Sequence, residues 1–429
     1  MFASRVLSSS IKVAATLIFA VLCITGCSNE SPAVTFSVFG DVAEYQAYEE
    51  LVAAFHEAHP EIRVALQHIP AQGDYRQRLA TEFSAGTPPD VMLLNYRRFA
   101  QFAAQGALFP LTDYFEDSDL MAAEDFFPIA IDSFNYEEEL WCIPQNISSL
   151  VVYYNKDMFD AAGIPYPADD WDRTDFVETA RALTQDLDGD GRTDQYGVGL
   201  EPQVFRLAPF LWQDNAPLVD DPDNPTRLML DNPASLATFQ WFVDLQLVEG
   251  VVPDAVAESA ESSESRFLNG RLGMMFESRR GVPTYRTIST FDWDVVPLPR
   301  GETAAGILHS DGYCMAEAAE NKDEAWVFIE YANSEAGQRI VARSGRTVPS
   351  LLVVADSEDF LDPSLPPANS RIYVETASIL GRVPVHPGWA GVEETANREI
   401  ERAFYGQATV EEAAQAAIEL TASFLEEEE

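Results

Sequence analysis

Polar side chains follow two apolar runs that are typical of buried β-strands. The run 34–39 leads to Asp41, and the run 91–94 leads to Asn95 and Tyr96. In open parallel sheets, ligands bind beyond the carboxyl ends of the strands. Carboxylate, amide and phenol groups all form hydrogen bonds with a polar ligand. The sequence therefore predicts a polar binding site at this edge of a sheet.

An acidic loop over residues 186–194 resembles a calcium-binding loop. Its candidate ligands are Asp186, Asp188, Asp190 and Asp194. They occupy positions 1, 3, 5 and 9 of such a loop, with glycine at position 6. Position 12 is Gly197, so the bidentate acid is missing. The loop is therefore interpreted either as a weak calcium site or as an acidic surface turn.

Catalytic motifs are absent from the sequence. His56 and His59 are three residues apart instead of four, and Pro60 follows them, so zinc is not expected. The chain has no G-x-S-x-G, no P-loop and no G-x-G-x-x-G opening a helix. Acid pairs suited to glycoside hydrolysis exist only because acids are abundant everywhere. A secreted glycosidase is therefore kept only as an alternative.

The elements that must position the polar residues alternate between two periodicities. Strand-like runs cover 34–39, 62–66 and 91–94, and helical patterns pass through 48–55, 75–83 and 99–102. This βαβαβα order predicts a parallel sheet covered by helices on both faces. Farther along, helices are predicted near 176–183, 207–212, 236–248 and 323–332, and in the C-terminal region 400–425. Strands are predicted near 272–276 and 293–296.

Two extended runs are longer than a typical strand. They cover Ile143 to Tyr154 and Gly306 to Ala316. Strands of this length can pass from one lobe into another. A chain of 429 residues also exceeds what one hydrophobic core usually serves, so two lobes are expected.

The N-terminal segment has the pattern of an export signal. Arg5 and Lys12 precede the apolar run 13–23, which is shorter than the roughly 20 residues of a membrane-spanning helix. Residues 24–27 match a bacterial lipobox, which predicts a lipid on Cys27 and a membrane anchor. Residues 28–33 would be a tether. An ordinary secretory signal, with Cys27 incidental, is the alternative.

The net charge of −43 excludes a nucleic-acid partner, because phosphates would be repelled. The only lysines are Lys12, Lys156 and Lys322. This acidic, lysine-poor composition fits either a saline habitat or a genomic bias toward arginine. Once Cys23 leaves with the signal and Cys27 is lipidated, Cys142 and Cys314 remain in a compartment that permits disulfides.

A series of motifs resembles the extracellular solute-binding proteins of ABC importers, of the sugar-binding type related to maltose-binding protein. The motifs, in order, are residues 55–60 with 62–64, 83–91 (FSAGTPPDV), 105–108, 143–144, 153–156, 267–274 (FLNGRLGM), 296–299, 325–329 and 406–413. Each motif is weak alone. Their number and order carry the resemblance, which extends from about residue 34 to residue 425.

The resemblance implies an α/β fold of the type II periplasmic-binding-protein kind, with two lobes, hinge strands and a ligand cleft between the lobes. The first lobe would comprise 34–146 and 314–366, and the second 147–313 and 367–429. Such a protein is a monomer that binds a mono- or oligosaccharide tightly outside the cytoplasm. It closes over the sugar and delivers it to permease subunits, without a cofactor or turnover. A binding or adhesion lipoprotein without a transport role is the alternative.

The resemblance also implies which residues face the ligand. They are Asp41, Glu44, Asn95, Tyr96, Arg98, Asn146, Ser148, Trp212, Glu277, Arg279, Arg280, His309, Ser310, Asp311 and Trp389. Aromatic rings would stack on the sugar, and carboxylates, amides and arginine would bind its hydroxyls. Leu94 and Arg280 replace tryptophans of the maltose-binding member, which argues against maltodextrin and leaves room for an acidic or phosphorylated ligand. In this family the strands near Cys142 and Cys314 run side by side, so either a disulfide or two buried thiols is expected.

Overall fold

The computed structural model describes residues 33–426. Its strands form two main sheets, a small third sheet and a two-stranded sheet of residues 135–136 and 139–140. The strands are β1 Val34–Phe39, β2 Val64–Ile69, β3 Val91–Asn95, β4 Leu108–Phe109, β5 Asn135–Tyr136, β6 Glu139–Leu140, β7 Cys142–Pro144, β8 Ser148–Ser149, β9 Val151–Asn155, β10 Tyr196–Gly199, β11 Leu272–Glu277, β12 Trp293–Val296, β13 Gly306–His309, β14 Asp311–Ala316 and β15 Leu380–Gly381. The predicted signal, Cys27 and most of the tether lie outside the described residues.

Helices cover both faces of the main sheets. They are α1 Val42–Ala58, α2 Gln72–Ala85, α3 Phe99–Ala104, α4 Thr112–Glu116, α5 Pro128–Asp132, α6 Lys156–Ala162, α7 Arg173–Leu183, α8 Val204–Gln213, α9 Pro233–Leu247, α10 Ala255–Ala260, α11 Ser263–Leu268, α12 Val282–Tyr285, α13 Lys322–Asn333, α14 Glu335–Ala342, α15 Leu352–Ala355, α16 Glu358–Leu361, α17 Ile372–Glu375, α18 Trp389–Phe404 and α19 Val410–Thr421. Within residues 33–426, no helix is long and apolar enough to cross a bilayer.

The first main sheet has the order β2-β1-β3-β14-β4, with β7 also paired to β14. β1 runs parallel to β2 and β3, as the alternating pattern of the first hundred residues predicts. β14 is antiparallel to β3, β4 and β7. The packing of the first main sheet is aromatic: the ring centroid of Phe36 lies 4.9 Å from that of Phe328 and 5.6 Å from that of Tyr313.

The second main sheet has the order β10-β11-β9-β12. β11 is parallel to β10 and antiparallel to β9. α7 and α8 pack on this sheet, where the ring of Phe276 lies 5.4 Å from Phe176 and 5.7 Å from Phe210, and α9 packs against α8. α18 and α19 pack against α9, so the predicted C-terminal helical region belongs to this lobe as two helices. Gly406, with φ of 69°, follows the first of them.

Both long extended runs pass between the sheets. The run 143–154 becomes β7 in the first sheet, β8 in the small sheet and β9 in the second sheet. The run 306–316 becomes β13, which pairs with β8 and β15, and then β14. All of β14 lies in the first sheet, since Asp311 pairs with Asn95. The predicted lobe boundary between 313 and 314 is therefore wrong, because it falls inside this strand.

Cys142 and Cys314 are joined by a disulfide, with Cα atoms 4.3 Å apart. They face each other in the β7–β14 ladder. Of the two alternatives that the sequence left open, the structure contains the bond. Both cysteines lie within the sheet of the first lobe and are fully buried.

Candidate ligand-binding cleft

A cavity of about 440 Å³ lies between the two lobes, where strands of both main sheets end. It is lined by Phe39, Glu44, Gln72, Arg76, Asn95, Arg97, Arg98, Asn146, Ser148, Glu201, Gln203, Phe205, Arg206, Glu277, Ser278, Arg280, His309, Asp311, Arg346, Thr347, Glu393, Glu394 and Asn397. Six of these residues are arginines and six are acids. The cleft is thus built for hydrogen bonding and charge, not for apolar contact.

The first lobe places an acidic pair at the start of α1. Asp41 caps the helix by accepting a hydrogen bond from the backbone N–H of Glu44 at 3.0 Å. Gly40 precedes it with φ of 139°, and a Cβ there would lie 1.6 Å from a carboxylate oxygen of Glu44. Only glycine therefore allows the Glu44 side chain to fold back over the end of β1.

Arg346 neutralises this acidic pair. Its guanidinium lies 2.8 Å from Asp41 and 2.6 Å from Glu44. Burial nevertheless raises the pKa of Glu44 to about 7, and Arg346 only partly offsets that effect. Near neutral pH, Glu44 can therefore either donate or accept a hydrogen bond.

A second polar cluster lies where β3, β14 and the first crossover meet. The amide nitrogen of Asn95 donates to Asp311 Oδ1 at 3.1 Å. The backbone N–H of Asp311 donates to Asn146 Oδ1 at 2.8 Å. Asn95 Oδ1 accepts from Arg97 Nε at 3.0 Å. These hydrogen bonds hold the side chains of Asn95, Asn146 and Asp311 in place next to the crossover strands.

The second lobe contributes a buried arginine between two acids. Arg206, near the start of α8, is 5% exposed and lies 3.2 Å from both Glu201 and Glu277. Glu201 follows β10, and Glu277 ends β11. This wall therefore comes from the ends of two neighbouring parallel strands, the position expected for ligand contacts in such sheets.

The cavity offers no exposed aromatic face. Its two aromatic rings, Phe39 and Phe205, are buried. The Arg97 guanidinium lies over Phe205 at 4.2 Å from the ring centroid, and the His309 ring lies at 4.0 Å. Burial and the nearby arginines hold the pKa of His309 well below its usual range, so the imidazole is neutral. Its Nε2 is buried without a hydrogen-bond partner among the described residues.

Ion pairs connect the two lobes across the cleft. Arg97 lies 2.5 Å from Glu393, and both side chains are largely buried. Arg98 lies 3.4 Å from Glu394. The arginines follow β3 in the first lobe, and the glutamates lie on α18 in the second. In this conformation, therefore, ion pairs contribute to the contact between the lobes.

Two further cavities adjoin the cleft. One, of about 640 Å³, shares Glu201, Glu277, Arg280 and Arg346 with it and is also lined by Asp41. The other, of about 660 Å³, lies in the first lobe among side chains of α2, β3 and α3, and is partly apolar. The space available between the lobes is therefore larger than the central cavity alone.

Ten of the fifteen predicted ligand residues line this space. Glu44, Asn95, Arg98, Asn146, Ser148, Glu277, Arg280, His309 and Asp311 line the central cavity, and Asp41 lines the adjoining one. Whether they contact a solute stays a prediction.

The other five predicted residues lie outside these three cavities. Tyr96, Ser310 and Trp389 are fully buried and line none of the three cavities. The Tyr96 hydroxyl accepts from the backbone N–H of Val383, and the Ser310 hydroxyl donates to the carbonyl of Asn146. These side chains support the fold around the cleft instead of lining it.

Arg279 and Trp212 also point elsewhere. Arg279 is fully buried and donates to the carbonyl of Gly345 at 2.7 Å and to the hydroxyl of Ser370 at 2.8 Å. Burial lowers its pKa to about 10, so it stays charged, and its guanidinium lies 4.7 Å from the Phe360 ring. Trp212 packs against Gly381 at the small third sheet.

Sequence reasoning missed several residues that line the cavity. Arg346 lies in an irregular segment, and Glu393 lies on a helix, so neither carries a strand-end signal. Arg206 looks like an ordinary residue of an amphipathic helix. Glu201 carries a signal in the sequence, because it follows the short strand-like run 196–199.

Three of the four predicted calcium ligands lie close together in the structure. Carboxylate oxygens of Asp186, Asp188 and Asp194 lie within 4.8 Å of one another. Asp190 is not part of that cluster, and its carboxylate accepts from the backbone N–H of Arg192. Calcium binding stays a prediction.

Comparison with known proteins gives the family. The model of the bacterial extracellular solute-binding proteins matches residues 40–339. An ABC substrate-binding protein of Listeria monocytogenes, solved with cycloalternan, is 23% identical, has a TM-score of 0.83 and covers 91% of this chain and 98% of its own. A solute-binding protein of Thermotoga lettingae, bound to α-D-tagatose, is 20% identical, with a TM-score of 0.79 and coverage of 92% and 100%.

A putative binding protein of Brucella abortus strain 2308 is 23% identical over 401 residues, which cover 85% of this chain and 88% of the relative. The chain belongs to the bacterial extracellular solute-binding protein family. It is a solute-binding protein, a member of a class of binding proteins and not of enzymes. The predicted fold and the expectation of a non-enzyme are confirmed, and the glycosidase alternative is set aside.

Proposed function

We propose that this protein binds a sugar in the cleft between its lobes and delivers it to the permease of an ABC transporter. The observation that carries the proposal is the cavity itself, which is lined by charged and amide groups from both lobes. Its volume of about 440 Å³ lies within the usual range for small-molecule sites. Two structural neighbours of the same fold were solved with sugars, cycloalternan and tagatose.

In this proposal the hydroxyls of the sugar bind the network of Asn95, Asn146 and Asp311 from one side and Glu277 from the other. Because the exposed surface of the cavity is polar, hydrogen bonds and not ring stacking supply specificity. This favours a compact sugar with many hydroxyls over a long maltodextrin. Residues 33–146 and 311–366 would move as one lobe, and residues 147–310 and 367–426 as the other.

A thermal-shift screen of the form lacking residues 1–27 against sugars and polyols tests the proposal. A ligand that binds only the native state raises the melting temperature by mass action. Asp311→Ala should reduce the shift, whereas Asp119→Ala, at an exposed position of the first lobe, should not. If peptides or other solutes shift the melting temperature and no sugar does, the proposed ligand class is wrong.

The anchor is a separate part of the proposal. The lipobox pattern at residues 24–27 supports lipidation of Cys27, which would hold the protein at the membrane beside its permease. Labelling of the full chain with radioactive palmitate in a bacterial host should mark the wild type and not Cys27→Ser. Label on both forms, or on neither, would contradict the anchor and leave sugar binding untouched.

A further inference from the structure

The charges that line the cleft are not all paired. Four arginines have acidic partners: Arg97 with Glu393, Arg98 with Glu394, Arg206 with Glu201 and Glu277, and Arg346 with Asp41 and Glu44. The side chains of Arg76 and Arg280 form no ion pair or hydrogen bond with any described residue. The cavity thus contains two guanidinium groups whose donors are free.

These two arginines come from opposite lobes. Arg76 lies in the second turn of α2 and is partly buried beside Arg97 and Arg98. Burial, together with repulsion from those arginines, lowers its pKa to about 10. Arg280 follows β11 in the second lobe and is exposed to the cleft. The two lobes therefore each place one unpaired cation in the lining of the same cavity.

A partly buried cation such as Arg76 is costly unless a partner compensates it. In a protein with a net charge of −43, abundant acids could have paired with both arginines, yet none does. The neutral imidazole of His309, whose Nε2 has no partner among the described residues, lines the same cavity. An incoming anion would satisfy both guanidinium groups, since guanidinium binds carboxylate in a bidentate manner, and the Nε2–H tautomer of His309 would donate to it as well.

We propose that the ligand is a sugar acid, a uronic or aldonic acid whose carboxylate binds Arg76 and Arg280 from the two lobes. This inference rests on the proposed function and narrows it to a ligand class. One carboxylate has two oxygens, one for each of these two guanidinium groups. The hydroxyls of the sugar then form hydrogen bonds with the side chains of Asn95, Asn146 and Asp311.

Isothermal titration of the form lacking residues 1–27 with matched pairs tests the inference. The panel is D-glucuronate with D-glucose, D-galacturonate with D-galactose, D-gluconate with D-glucitol, and D-glucose 6-phosphate as the phosphorylated arm. At least one acid should bind about tenfold or more tightly than its neutral parent, because hydrogen bonds between charged groups are the strong ones. Its affinity should fall as salt rises.

Arg76→Gln and Arg280→Gln should each weaken binding of that acid by about tenfold or more, and weaken binding of the neutral parent by a clearly smaller factor. The matched controls are Arg78→Gln on the same helix and Arg271→Gln in the second lobe, both half-exposed and ion-paired on the surface. Melting temperatures without ligand establish that each variant is folded.

The outcomes separate the two proposals. Neutral sugars that bind as well as the acids, or a phosphate ester that binds best, would overturn the inference while sugar binding stands. Arginine variants that bind the acid as the controls do would also overturn it. If no member of the panel and no sugar of the wider screen binds, the proposed function fails as well.

Discussion

Glu44 lines the cleft, and its carboxylate also makes the folding stability of the protein depend on pH. Its carboxylate is buried at the end of β1, next to Arg346, and its pKa is about 7 because burial penalises the charge. In the unfolded chain the same group has a pKa of about 4.5. Folding therefore takes up a proton on Glu44 between these values, and the stability that the neutral form contributes is lost as pH rises toward 7.

We therefore predict that Glu44→Gln gains stability relative to the wild type as pH rises from about 5 to 8, by at most about 3 kcal/mol. Glutamine copies the neutral form and has no proton to lose. The measurement is the difference in unfolding free energy between the two proteins at each pH. Glu50→Gln, at an exposed position of the same helix, should show a flat difference. A flat difference for Glu44→Gln as well would mean that the carboxylate is ionised at neutral pH.

Residues of the cleft were predictable where they follow strands. Asp41 and Asn95 could be placed from the sequence because strand ends meet at one edge of a sheet, whereas Glu277 and His309 were placed by the family resemblance. Aromatic residues could not be placed, since composition does not tell a stacking ring from a core ring, and Trp389 is in the core. Residues such as Arg346 were missed because their position depends on tertiary packing alone.

At the scale of elements, the strands β7 and β14 carry the disulfide of the first lobe. The bond closes a loop with a sequence separation of 172 residues, which includes much of the second lobe. A crosslink over a loop of this length restricts the unfolded chain strongly. The crossover strands β8 and β13 are next to β7 and β14 in the sequence. The first-lobe end of the hinge is therefore attached to the sheet that the disulfide crosslinks.

We predict that thiol counting in denaturant without reductant finds no free thiol in the form lacking residues 1–27. The double variant Cys142→Ser, Cys314→Ser should lose about 2–5 kcal/mol of unfolding free energy. Reductant should lower the melting temperature of the wild type and leave that of the double variant unchanged. Two free thiols in the untreated protein would contradict the bond.

The crossovers also mark the limit of sequence reasoning about elements. The strands over 34–39 and 293–296 have the bounds that the apolar runs indicated. The run 306–316 was correctly predicted as extended, but the break at Ser310, where the chain changes sheets, was not visible in it. Both halves are equally apolar, and only pairing with different partners separates them.

At the scale of the whole molecule, the lobes are held in contact by Arg97–Glu393 and Arg98–Glu394. We predict that Glu393→Ala shifts the ligand-free protein toward an open form, because charged hydrogen bonds contribute about 1.5–3 kcal/mol. The radius of gyration from small-angle scattering should increase, and ligand affinity should fall by about tenfold. Glu401→Ala, at an exposed position of the same helix, is the control. An unchanged radius with wild-type affinity would show that the pair does not hold the lobes.

The acidic surface affects the molecule as a whole. With 70 acidic and 27 basic residues, most carboxylates cannot have a basic partner, so like charges repel one another across the fold. The Debye length falls from about 30 Å at 0.01 M salt to about 3 Å at 1 M.

We therefore predict that the melting temperature rises clearly over this range of sodium chloride, more than for a charge-balanced member of the family. The rise should shrink as pH approaches the isoelectric point of about 4.2, where the net charge disappears. A melting temperature that does not depend on salt at neutral pH would show that the acids are spaced widely enough already. The composition would then reflect a genomic bias toward arginine and acidic residues instead of adaptation to a saline habitat.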